Sequence, residues 1–424
     1  SKPVILTDKG IAAQEKEIDS MHSWRELIER KGGEPGGPPK STLQNVCLIL
    51  KGECGDEIFR LNEFSGQELY GKAPPWGGST GVEVKEIDLS NIRRWFSEQY
   101  RFEPPVPLVH EGIRVIAHDN KFHPVRAFLD RLAWDKVPRL DLWLQTYLGA
   151  KGPEKYVRSI GAKTLVAMIR RIYEPGCKFD QVLILEGPQG CGKSTAVRML
   201  SQPWFSDGFI NIGDKDGVLS MRSVWVVELG ELSGMRKADV DQLKEFISRQ
   251  SDRIRTPYGR LVENFPRQCI FIGTTNSDSY LKDPTGNRRF WPVQVTACDF
   301  KAFERDRDQL LAEAKVAYEL GEKIYLEDEK VRELATAEQE KRVWEDEWVA
   351  RVKKIVYKEH GVGGTGETLD PQKFTIEDIF ERLGIHRDTK SDQMRVSDAL
   401  KSAGFEPYRG YKNGIQARYW REKL

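Results

Sequence analysis

The chain has 424 residues, 39% hydrophobic and 31% charged, with a formal net charge of +1. That length suits two or three domains, and the balanced charge excludes a global field for nucleic acid, so any such binding must come from local patches. No run of eighteen or more apolar residues exists, which argues against a membrane-spanning helix.

Residues 1–7 lack the long apolar core of a signal peptide, and the chain has no starting Met. A cytoplasmic protein, trimmed from a longer one, is expected. Residues 31–40 (Lys-Gly-Gly-Glu-Pro-Gly-Gly-Pro-Pro-Lys) read as a linker. The run Asn45 to Leu50 is apolar and strand-like, and Leu89 to Tyr100 is helix-like, with Ile92, Trp95 and Phe96 at helical spacing. Pro104, Pro105 and Pro107 break the chain, closing an N-terminal accessory region over 1–108. Residues 109–177 form a helical collar. Val125, Phe128, Leu129 and Leu132 share one face, as do Ile160, Leu165, Met168, Ile169 and Ile172, before Glu174-Pro175-Gly176 stops the last helix.

From 178 to 300 strands and helices alternate. Three apolar runs, 182–185, 224–227 and 270–272, lack polar alternation and suit strands buried on both faces of a parallel sheet. A helix with Val240, Leu243, Phe246 and Ile247 in register lies between the last two, giving the α/β order of a P-loop domain. Residues 301–360 are helical and charged, with Phe303, Leu310, Leu311, Ala314 and Ala317 as one buried stripe. A second linker covers 361–372. Residues 371–424 then read helix (376–383), helix (393–403) and a hairpin from Tyr408 to Trp420 turning at 412–414, an order that suits a winged helix. The cysteines (Cys47, Cys54, Cys177, Cys191, Cys269, Cys298) form no C-x-x-C pair and are expected as reduced thiols. The six histidines show no metal-ligand spacing, and structural roles are expected for His110, His118 and His123.

Residues 187–194 (Gly187, Pro188, Gln189, Gly190, Cys191, Gly192, Lys193, Ser194) fit G-x-x-x-x-G-K-[ST] between a strand and a helix. Glycines let backbone N–H groups turn around a phosphate, and the next helix points its positive end there. Lys193 supplies charge for β- and γ-phosphates, Ser194 a hydroxyl for Mg²⁺, and Thr195 continues the cradle. ATP and Mg²⁺ are the expected cofactors. The second buried strand ends in Glu228-Leu229-Gly230-Glu231. Glu228 is assigned to the metal side and Glu231 to polarising the attacking water, with the reverse also open. Asn276, after strand 270–272, fits a sensor of the γ-phosphate, or else a turn cap. Arg288 and Arg289 suggest an arginine finger, with a slight lean to Arg289; an ion pair with Asp283 is the plain alternative. Arg253, Arg255, Tyr258 and Arg260 lie on a short hairpin, either a surface for single-stranded nucleic acid or a solvated loop. Arg409, Lys412, Arg418, Arg421 and Lys423 interleave with Tyr408, Tyr411, Tyr419 and Trp420, which suits a wing on a DNA backbone.

Taken in order, Trp134 to Leu140, Glu174 to Asp180, the phosphate loop, Val227 to Leu232, Gly273 to Asn276 and Gly286 to Phe290 resemble the virulence-associated protein E family. These are P-loop ATPases of phages and mobile elements, similar to superfamily 3 helicases within the AAA+ group. The resemblance covers roughly residues 110–350. It implies a hexameric ring with ATP between subunits, Lys193, Ser194, Glu228, Glu231 and Asn276 in the site, Arg288 or Arg289 as finger, and the 253–260 hairpin on DNA. An upstream primase or a loader is an implied partner, although residues 1–100 offer no acidic cluster for priming.

The expectation is therefore an ATP-driven helicase of phage or mobile-element replication acting on single-stranded and origin DNA. The rivals are an ATP-regulated replication initiator that does not unwind, and a small-molecule kinase. The kinase would need an acceptor pocket and would leave the paired arginines unexplained.

Overall fold

The structure is a computed structural model. It describes residues 24–33, 36–208, 215–230, 237–255, 262–277, 280–281, 286–343, 347–357, 371, 373–383, 389–412 and 415–423. The chain divides into two compact units, one of residues 1–232, 242–276 and 289–335, the other of 233–241, 277–288 and 336–424.

The first unit opens on α1 (Leu43–Cys54), where the sequence run suggests a strand. Two features explain the difference. Thr42 caps the helix by accepting from the Asn45 amide, and Val46, Ile49 and Leu50 fall on one buried helical face. The 31–40 segment is also less free than a linker. Residues 31–33 form a 3-10 turn, Arg30 bridges Pro39, and the Asn45 amide group donates to the Glu29 and Lys40 carbonyls. Next come β1 (Phe59–Asn62), β2 (Gln67–Tyr70), α2 (Glu86–Tyr100), α3 (Val106–Asp119) and β3 (Lys121–Phe122). β1 pairs antiparallel with β2 and parallel with β3. Val109, Ile113, Ile116 and Ala117 of α3 join Val46, Ile49, Phe59, Ile92 and Phe96 in one core. The helix at the start of the expected collar therefore packs with the N-terminal region.

The chain continues through α4 (Pro124–Arg131), α5 (Trp143–Leu148), α6 (Glu154–Tyr173), β4 (Val182–Glu186), α7 (Lys193–Ser201), β5 (Phe205–Ser206), α8 (Lys215–Ser220), β6 (Val226–Leu229), α9 (Lys237–Ser248), β7 (Ser251–Arg255), β8 (Val262–Pro266), β9 (Ile270–Thr275), β10 (Phe290–Gln294) and α10 (Phe300–Glu319). Five strands make one parallel sheet in the order β10-β4-β9-β6-β5. β4 and β9 are buried at every position, as their unbroken apolar runs require. α6 and α10 pack against this layer through Ile160, Met168, Ile172, Phe303, Leu310 and Leu311. β7 and β8 form a separate antiparallel hairpin.

α11 (Glu329–Glu340) leads to the second unit's α12 (Glu347–Tyr357), α13 (Ile376–Leu383), α14 (Lys390–Ser402), β11 (Phe405–Lys412) and β12 (Ile415–Glu422). Val352, Val356, Ile379, Val396, Leu400, Phe405 and Trp420 share a small core. Phe374 bridges Trp420 and adds a third edge to the hairpin. All six cysteines are free, and no helix among the described residues is long and apolar enough to cross a membrane.

Two buried polar groups hold the first unit together. Arg267 and Asp252 pair at 2.6 Å with side chains 2% and 6% exposed, and the guanidinium also donates to the Phe246 carbonyl. Replacing Asp252 by Asn should cost about 3–5 kcal/mol in urea denaturation, because it strands a buried cation. His123 caps α4 by accepting from the Arg126 amide at Nδ1, while Nε2 meets Gln268 Oε1 at 2.6 Å. Neutral imidazole with Nε2–H satisfies both. Burial pushes His123 below its ordinary value of 6.5. The unfolded chain therefore takes up the proton first. Stability from this group is full above that value and declines as pH falls through the lower folded value. His123→Gln should flatten that acid limb in thermal melts taken across the range.

Candidate active site

Strand register builds the site. Leu185 lies opposite Thr274 and Glu186 opposite Thr275, while Glu228 lies opposite Ile272. The carboxyl ends of β4, β9 and β6 thus arrive together, where open α/β sheets place their ligands. Gly187 leaves β4 with its amide on the Thr275 carbonyl at 3.2 Å. The loop then turns into α7 through Gly192, whose φ of +94° is the left-handed region. A side chain at Gly192 would also collide with the Phe300 ring.

Lys193 is 7% exposed. Its ammonium donates to Gly187 O at 2.8 Å, Pro188 O at 3.0 Å and Asn276 Oδ1 at 2.8 Å. Three donors meet three oxygens, so a phosphate must displace at least one of them. Pro188, Gln189, Gly190, Ser194 and Thr195 are exposed around this ammonium, and Cys191 is half-buried with its sulfur 3.7 Å from it. Burial pushes the Cys298 thiol up to about 11, and nearby Cys191 adds to the shift.

Glu228 is 6% exposed and sits inside β6, where the sequence places it after the strand. One carboxylate oxygen, Oε1, accepts from Ser194 Oγ and from Thr274 Oγ1, each at 2.6 Å. The other, Oε2, is buried with no hydrogen-bond partner among the described residues. Charged oxygen beside a serine hydroxyl, with an orphaned lone-pair set, fits a hard divalent cation that keeps most of its waters. Ser194 and Glu228 would hold Mg²⁺. Thr274 completes this group, and the sequence reading missed it. Its signal was a polar residue inside a buried strand.

Arg289 and Arg288 are neighbours in a 3-10 turn (Asn287–Arg289) with different surroundings. Arg289 donates to Ser248 Oγ at 3.0 Å and pairs with Asp180 at 3.7 Å. Arg288 is exposed. Glu231, Tyr258, Arg260 and Asp283 lie outside the described residues. Arg253 and Arg255 are exposed on β7, alternating with buried Asp252 and Ile254.

Arg409 and Arg418 are exposed and face each other across β11 and β12. Lys412 pairs with Ile415 at the hairpin end. Two of the four hairpin aromatics are core instead of surface, Trp420 at 0% and Tyr419 at 5% exposure. Tyr408 is half-buried and stacks on Tyr419 at 5.8 Å, while Tyr411 is 70% exposed.

Residues 129–343 match the family described as the virulence-associated protein E-like domain. That span is half of the 424 residues, and the chain belongs to this family. Among solved structures, the apo structure of the NrS-1 C terminal region (305-718) aligns with 12% identity and a TM-score of 0.41, over 85% of this chain and 95% of that one. The A form apo structure of the NrS-1 C terminal region-CTR aligns with 12% identity and a TM-score of 0.41, over 86% and 96%. No curated protein matches.

The geometry separates the two halves of the site. Glu228→Gln keeps an oxygen for both hydroxyl donors but removes the charge. ATP affinity in the presence of Mg²⁺ should fall roughly 10- to 100-fold, as for other altered metal-site residues. Binding in EDTA should be unchanged. Calorimetric titrations under the two conditions test this.

Proposed function

We propose that the chain is a Mg²⁺-dependent ATPase that works on DNA as a ring-forming helicase in the replication of a phage or mobile element. The observation that carries this reading is the convergence at one sheet edge of Lys193 on Asn276 and of Glu228 on Ser194 and Thr274. Lys193, whose ammonium donates to the Gly187 and Pro188 carbonyls, would hold the phosphate oxygens of ATP in their place. Asn276, which accepts from that ammonium, would report the γ-phosphate. Bound Mg²⁺ would neutralise phosphate charge and orient the β- and γ-oxygens. Glu231 is the remaining candidate for polarising water.

Arg289 is engaged within its own protomer by Ser248 and Asp180. Exposed Arg288 is therefore our assignment for the finger lent to a neighbouring subunit. Arg253 and Arg255 would meet single-stranded DNA. Residues 371–424, with two helices followed by a hairpin, read as a winged helix whose Arg409, Lys412 and Arg418 contact duplex or origin DNA. That surface also favours the initiator reading, in which ATP assembles the protein without unwinding. Strand separation by wild type but not by Lys193→Ala supports the helicase. ATPase activity with origin binding and no strand separation supports the initiator.

Complementation tests the finger. Arg288→Ala alone should lose about 10³-fold or more in turnover. Mixed with Lys193→Ala, which keeps Arg288 but lacks its own working site, it should regain hydrolysis. Arg289→Ala should not be rescued in the same mixture. If Arg288→Ala alone turns over at the wild-type rate, the finger lies elsewhere.

A further inference from the structure

We infer that Phe300 is the platform on which the base of the bound nucleotide stacks. The inference rests on the triphosphate reading of the loop and extends it to the other end of the ligand. Phe300 is 36% exposed, and among the described residues it is the only exposed Phe or Trp. Every other described Phe or Trp is at least half-buried, and what distinguishes this ring is its place beside the phosphate loop.

Its position supplies the partner. The tip of the ring abuts Gly192, at the point where the loop enters α7. Phe300 is the first residue of α10, and its backbone is fixed on both sides. The Asp299 side chain caps the helix by accepting from the Ala302 amide at 3.1 Å, and the Asp299 amide donates to Tyr147 O at 2.8 Å. Phe303, one turn on, is buried against Trp143 and Tyr147. The ring is thus held beside the phosphate loop by a rigid helix start, with exposed Ala297 and half-buried Cys298 next to it in sequence. A nucleotide gripped through its phosphates must lay its base within one nucleotide length of the loop, and an aromatic face there stabilises any base by stacking. Because every base has such a face, the contact adds affinity without choosing between purines.

The rival account is that the ring only props Gly192 in its left-handed conformation. Inorganic tripolyphosphate separates the two, since it carries the phosphates without a base. Titrations use the full chain with Mg²⁺. Phe300→Ala should weaken ATP and GTP binding about tenfold, within the range of one base–aromatic stack, and leave tripolyphosphate binding unchanged. Phe300→Trp should retain ATP affinity, and its indole fluorescence should respond to ATP but not to tripolyphosphate. Equal loss of ATP and tripolyphosphate in Phe300→Ala, or no loss of either, overturns the platform while leaving the loop assignment standing. Wild type that binds neither ligand, indistinguishable from Lys193→Ala, overturns both.

Discussion

The pairing of β4 with β9 is the constraint on which the candidate site rests. Leu185 must face Thr274 for the loop after Glu186 to emerge beside Asn276. A side chain in a strand alternates faces, so a slip of one residue would turn Thr274 away from Glu228 and break the group around it. The register is protected by burial. β4 and β9 bury every residue, and Leu183, Leu185, Ile270 and Ile272 share the main core. The apolar sheet thus supplies the precision that the polar edge needs.

That edge runs against stability. Lys193 and Glu228 are both charged residues less than a tenth exposed, and Glu228 Oε2 has no donor among the described residues. Burying an ionised group is costly unless its bonds are met. Lys193 is fully met by oxygens, but two of those belong to the loop that would also cradle phosphate. Glu228 is half met. The unmet carboxylate oxygen lies next to an exposed serine, and the Mg²⁺ reading proposed above would satisfy it. The contrast with Asp252 and Arg267 is instructive, because there each carboxylate oxygen faces a guanidinium nitrogen and nothing is left over.

Much of this was legible in the residues. The phosphate-loop spacing located β4 and α7, and unbroken apolar runs located β6 and β9. The misses have physical causes. Asn45 to Leu50 looks like a strand because a short apolar run has no period of its own; the Thr42 cap and the full length of Leu43–Cys54 decide for helix. β10 is not among the three apolar runs, and Pro292 sits within it. Proline is tolerated there because β10 is the sheet's edge strand. The aromatics of the C-terminal hairpin were read as surface because their charged neighbours alternate with them. Consecutive strand residues point to opposite faces, and here both are covered: Trp420 enters the small core beside Phe374, while Tyr419 stacks on Tyr408. Between adjacent Arg288 and Arg289 the sequence leans to Arg289, whereas the turn sends Arg289 inward to Ser248 and leaves Arg288 exposed.

The same logic bears on the two basic surfaces. On β7, Arg253 and Arg255 project from one face while Asp252 and Ile254 anchor the other, so their charge is displayed by a strand fixed at its base through Arg267. On the C-terminal hairpin, Arg409 and Arg418 stand directly opposite each other. Like charges at such a cross-strand position repel and weaken the hairpin. Glu406 does not relieve them, because it pairs with Arg421 at 2.6 Å. A backbone of phosphates laid along that face would. On the function proposed above, this pair would be the part of the hairpin most favoured by contact with phosphates.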